Sequence, residues 1–155
     1  AKFNKEMDQA LSATPATDLV ALQGRTLGME VIQTASRIAH LTPVARIQAA
    51  ERRVPCEMRS TSQQPAGQLL DMHLGLLRIN DTAIVSVSGE VATDIYSRVK
   101  KESPFSDTIM ATLVNDRVGY IPDEANWERM GAAYVRGCAE NAIVGNLVEM
   151  LRDSR

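Results

Sequence analysis

The 155-residue chain carries 17 Lys and Arg against 19 Asp and Glu, a net charge of −2, with 45% hydrophobic and 23% charged residues. That balance is the profile of an ordinary folded domain and excludes disorder and collagen-like order; a chain this long buries enough surface to hold a core without structural metal or a disulfide framework. A pI near 5.7 and one short basic pair, Arg52-Arg53, supply no polyanion-binding field, which argues against nucleic acid as a partner.

In chain order, the first predicted element is a helix over residues 18 to 41. Asp18 is placed to cap it, and Val20, Gly24, Leu27, Val31, Ala35 and Ile38 recur at spacings of four and three, a stripe expected to face a core. Pro43 closes it. Residues 44 to 59 read as one or two strands with a bend near Pro55, and Ser60 to Gly67 (STSQQPAG) as a loop. LDMHLGLLRI is a predicted strand, and Asn80-Asp81 turns it into the apolar, β-rich run Thr82 to Ser88, which Gly89-Glu90 ends.

A helix over 91 to 102 follows, with Val91, Ile95 and Val99 on one face and Asp94, Arg98 and Lys101 on the other. Ser103-Pro104 stops it, and Ser106 to Val114 forms the next buried strand. Strand, helix and strand make a β-α-β unit whose two strands are expected to lie parallel. Residues 115 to 134 read as irregular. A last helix over 139 to 152 turns Ile143, Leu147, Met150 and Leu151 inward and Glu140, Asn141 and Glu149 outward. The fold class is therefore α/β, a mixed sheet flanked by helices about 18–41, 91–102 and 139–152, in a single domain over 1–155. No window approaches the ~20 apolar residues of a membrane span, and residues 1–12 lack the apolar core of a signal peptide.

The two cysteines, Cys56 and Cys138, are too few and too isolated for a zinc knuckle or a redox CxxC, and are read as small core or edge residues. The two histidines, His40 and His73, lie in no ligand-spaced motif and are read as structural or surface side chains. Ser86 and Ser88 stand outside any GxSxG, and the glycines form neither a P-loop nor GxGxxG. Trp127 and Tyr134, seven residues apart, are read as packing anchors, with a place in the lining of a lipid pocket as the alternative.

Ligands in open α/β sheets gather beyond the carboxyl ends of strands, and both central strands here end in polar groups: Gly89-Glu90 on one, Asn115-Asp116-Arg117 on the other. From spacing alone, Glu90 reads as a first-turn acid of the helix that follows, stabilising its positive end. The ordered features Gly89-Glu90, a helix carrying Arg98, Asn115, and Gly119-Tyr120-Ile121-Pro122 before Asp123-Glu124 add a second reading. Together, over about residues 69 to 152, they resemble the C-terminal part of the catalytic domain of the neutral/alkaline, non-lysosomal ceramidase family. The chain departs from that family's pattern at Ser88, where the family has proline before Gly-Glu, and at Val91, where an aromatic residue or proline is usual.

The resemblance implies zinc-dependent hydrolysis of the N-acyl amide of a lipid-like substrate by a zinc-activated water. It implies Glu90 and Tyr120 as zinc ligands, Tyr120 also as a donor to the developing oxyanion, and two histidine ligands from outside this chain. It further implies that the chain is the C-terminal portion of a larger catalytic domain, inactive alone and partnered by the N-terminal portion of the same enzyme. The residues themselves leave the location unknown, the same resemblance favours an extracytoplasmic one, and homo-oligomerisation stays open. The alternative is a non-catalytic α/β interaction or oligomerisation module that keeps the fold.

Overall fold

A computed structural model describes residues 15–39, 41–59, 67–132 and 134–155, in two compact units, Ala1–Pro43 and Val44–Arg155. In the first unit, α1 (Ala16–Ser36) starts directly after Pro15, which suits a helix start because proline presets φ and offers no N–H. Asp18 lies in the first turn of α1 and does not cap it. The expected core-facing stripe is a correction: no residue of α1 is buried, and Val20, Leu27 and Val31 are all exposed. Its period is helical and amphipathic, but within its own unit the apolar side stays exposed. His40 lies outside the described residues.

The second unit is α/β. Its main sheet has the order β1-β2-β3-β5, built from β1 (Ile47–Glu57), β2 (Leu69–Ile79), β3 (Thr82–Val87) and β5 (Asp107–Thr112). β1 is one continuous strand, and its Pro55 is tolerated because β1 lies at the sheet edge, where a missing N–H breaks no second ladder. β2 and β3 are antiparallel across a two-residue connection in which Asn80 takes φ 54°, the left-handed conformation that such turns demand and asparagine accepts. β3 and β5 are parallel, with Thr82 opposite Asp107 and Val87 opposite Thr112. They are joined through α2 (Thr93–Glu102), which starts two residues later than its predicted start.

Alternation along the strands sends Met72, Leu74, Leu76, Ala83, Val85 and Val87 to one face, where all are buried. There they meet Ile95 and Val99 of α2 and Ile143, Leu147 and Leu151 of α4 (Ala139–Asp153). Arg52 of β1 clamps the same helix from outside, donating to Asn146 Oδ1 at 2.8 Å and pairing with Glu149 at 2.5 Å. On the opposite face the cross-strand row Ala49, Leu77, Ile84 and Ile109 runs over four strands. Leu77 and Ile109 in that row are exposed.

The segment 115–134 is more ordered than its irregular composition suggests. It contains β6 (Tyr120–Ile121), which pairs with β4 (Glu90–Val91), and the short helix α3 (Trp127–Met130). Cys56 and Cys138 form a disulfide with a Cα separation of 5.8 Å, a correction to their reading as unpaired core or edge residues. The bridge ties the end of edge strand β1 to the residue preceding α4. Among the described residues no helix is long and apolar enough to cross a membrane.

Candidate metal-ligand edge

Beyond the carboxyl ends of β3 and β5 the two chains stay zipped together. Val114 N–H donates to the Val87 carbonyl at 3.2 Å, Leu113 N–H to Gly89 at 3.2 Å and Val118 N–H to Ser88 at 3.0 Å. Leu113 and Asn115 both adopt positive φ, 59° and 64°, so this corner holds a backbone conformation that leucine rarely takes. Gly119 turns the chain back with φ 91°, and Glu90 N–H then donates to the Gly119 carbonyl and Ala92 N–H to the Ile121 carbonyl, both at 2.9 Å. These bonds make β4 and β6 a parallel pair in which Glu90 lies opposite Tyr120 and Val91 opposite Ile121.

Directly paired residues share a face because side chains alternate along both strands. The Val91 and Ile121 positions turn inward, with Ile121 1% exposed in the core. Glu90 and Tyr120 accordingly share the outer face: Glu90 is exposed and Tyr120 is 62% exposed. Among the described residues neither the Glu90 carboxylate nor the Tyr120 hydroxyl has a hydrogen-bond or ion-pair partner. The reading of Glu90 as a first-turn helix acid is corrected, because α2 begins at Thr93 and Asp94 is its first-turn acid. Glu90 lies in a strand instead, its N–H already held by the Gly119 carbonyl.

Gly89 is fixed by space rather than by φ. A Cβ there would meet Ile121 Cδ1, and would lie 2.9 Å from Ile121 Cγ1 and from Val118 Cγ2. A side chain at 89 would therefore push β6 away from β4. Ser88 is fully buried, its N–H donating to the His73 carbonyl and its hydroxyl accepting the His73 N–H, both at 3.0 Å. A proline at 88 would lack the first of these donors. The His73 side chain lines a cleft of about 40 Å³ with Arg53, Ser86 and Asn115, a group that includes neither Glu90 nor Tyr120.

Behind the pair, Tyr134 is fully buried, and its hydroxyl donates to the Tyr120 carbonyl at 2.5 Å. Trp127 Nε1 donates in turn to the Tyr134 carbonyl at 3.1 Å. Both aromatics belong to the core, and Tyr134 also supports the backbone of the candidate site, which its sequence position gives no means of detecting. Glu140, read as outward, is 6% exposed. It pairs with Arg98 of α2 and accepts the Glu124 N–H at 2.7 Å, joining α2, α4 and the loop after β6. In that loop the side-chain amide of Asn126, aided by backbone N–H groups and opposed by burial, holds the Asp123 carboxyl below its usual range.

Burial pushes the Tyr134 phenol up to about 12. Because its folded value exceeds the unfolded value of about 10, the associated stability is complete below pH 10 and is lost as pH rises from about 10 to 12. Unfolding by denaturant at pH 8, 10 and 11.5 is expected to show wild type losing roughly 2 kcal/mol more than Tyr134→Phe across that window. Parallel profiles for the two proteins would show that the phenol ionises freely in the folded state.

Comparison of the chain with protein-family models, curated proteins and solved structures gives no match in any of the three. The candidate site therefore stands on its geometry. Among the described residues no group of three or more His, Cys, Asp and Glu side chains is placed to hold a metal ion. The donor set at the β4–β6 edge is one carboxylate, an oxygen donor that zinc takes, and one phenol, and zinc sites take three or four protein ligands. The pair fits a share of such a site.

Proposed function

We propose that this chain contributes Glu90 and Tyr120 to a zinc-dependent amidohydrolase site that is completed by histidines of the N-terminal portion of the same enzyme. The observation that carries the reading is the β4–β6 register, which sets a carboxylate and a phenol, each without a partner among the described residues, opposite one another on one exposed face. It is also the pair that the ceramidase resemblance singles out, thirty residues apart in sequence and adjacent in the fold. Bound zinc supplies a Lewis acid that polarises an amide carbonyl and lowers the pKa of water.

Glu90 would hold the metal through a carboxylate oxygen. Tyr120 would ligate it or donate a hydrogen bond to the carbonyl oxygen of an N-acyl amide as negative charge grows there. The positive φ values at Leu113 and Asn115 support the reading, since strained backbone gathers at functional corners. The disulfide supports an extracytoplasmic, oxidising location.

A second reading, a non-catalytic interaction module, draws on the uncovered apolar row through Leu77, Ile84 and Ile109. Zinc stoichiometry discriminates between the two. The chain co-expressed with its N-terminal portion is expected to retain one zinc per complex after dialysis and to hydrolyse an N-acyl sphingoid amide, and Glu90→Gln is expected to lower zinc affinity about 10- to 100-fold. Stoichiometric zinc on the 155-residue chain alone would overturn the shared site, and a metal-free, inactive complex would favour the module.

A further inference from the structure

We propose that Tyr134 is a positioning residue for Tyr120, its buried phenol fixing the β4–β6 register by holding the Tyr120 carbonyl. The ladder of this pair is only two residues long, and Glu90 N–H to Gly119 and Ala92 N–H to Ile121 flank it. Carbonyls alternate in direction along a strand, so the Tyr120 carbonyl points away from β4. A third strand would normally satisfy it. Here the Tyr134 hydroxyl does so at 2.5 Å, from fourteen residues downstream.

The donor is itself held on several sides. Tyr134 forms a β-bridge with Met58, Val135 N–H donates to the Glu57 carbonyl at 2.9 Å, and Trp127 Nε1 caps the Tyr134 carbonyl. Four residues on, Cys138 is bonded to Cys56 of β1. The phenol thus transmits the position of the β1 end to β6. With a phenol that stays protonated well beyond neutral pH, the donor is present under all ordinary conditions.

Its effect on catalysis rests on the proposed role of Tyr120; its effect on the register does not. Hydrogen exchange in Tyr134→Phe is therefore read at the Glu90 and Ala92 amides, relative to amides of β3. About tenfold faster exchange at the two edge amides is expected, the scale of one lost hydrogen bond. In the assembled, zinc-loaded protein the same variant is expected to lower kcat about tenfold with KM unchanged, and to have no further effect in a Tyr120→Phe background.

Faster edge exchange with unchanged turnover would support the hold on the register and overturn its effect on catalysis. Edge exchange that matches β3 would overturn the positioning role whatever turnover does. If Tyr134→Phe fails to fold, the wild-type protein still decides. A slowly exchanging Tyr134 hydroxyl proton with nuclear Overhauser contacts to Tyr120 and Ile121 is expected between pH 6 and 9, and its absence would overturn the proposal.

Discussion

Tyr120→Phe in the assembled, zinc-loaded protein is expected to lower turnover of an N-acyl amide by roughly 10²-fold, the scale of losing one oxyanion donor. The fold should be untouched, because the Tyr120 side chain is 62% exposed and its hydroxyl has no hydrogen-bond partner among the described residues. Stability measured by denaturant unfolding should accordingly stay within about 0.5 kcal/mol of wild type, as for most surface substitutions. The two readouts separate the site from the scaffold. A tyrosine that merely decorates the surface would give wild-type turnover, and that outcome would remove Tyr120 from the mechanism while leaving Glu90 to be tested on its own.

Loss of the Cys56–Cys138 disulfide is expected to have the largest effect on stability. The bridge spans 82 residues of sequence, and constraining a loop of that length in the unfolded chain stabilises the folded state by about 4.5 kcal/mol in the chain-entropy account. The double variant Cys56→Ser/Cys138→Ser should therefore unfold roughly 10 to 15 °C below wild type at equal concentration. Equal midpoints with and without the bridge would show that β1 and α4 are held by packing and by the Arg52 contacts alone.

The centre of the sheet was legible in the residues because local signals agree there. The apolar runs at 69–79, 82–88 and 106–114, with Asn80-Asp81 between the first two, carry both their strand character and their connections. What failed to show was whatever depends on residues far apart. The α1 stripe announces an amphipathic helix but cannot say what covers it. Glu140 falls off the apolar stripe of its own helix, yet Arg98 from another helix and the Glu124 N–H make it a buried partner.

The cysteines, 82 residues apart, offer no spacing from which to read a bridge. At the site, the resemblance singled out Glu90 and Tyr120, and spacing placed Glu90 in a helix. The short β4 strand won because Gly119, at positive φ, turns its carbonyl to the Glu90 N–H before α2 can begin. Tyr134 looked like a packing anchor and is one; its second task depends on a carbonyl that sequence does not locate.

The β4–β6 pair is only two residues long, and this makes the connection from Leu113 to Gly119 a measuring device. Deleting or inserting one residue there moves the pairing by one step. Since faces alternate at every step, Ile121 or Gly119 would then stand opposite Glu90, and the phenol would turn toward the core while an isoleucine surfaced. A longer strand would resist such a slip with many bonds; this one has a two-residue ladder and the Tyr134 clamp. Loop length between β5 and β6 should thus be poorly tolerant of change, although every residue from 115 to 117 is exposed.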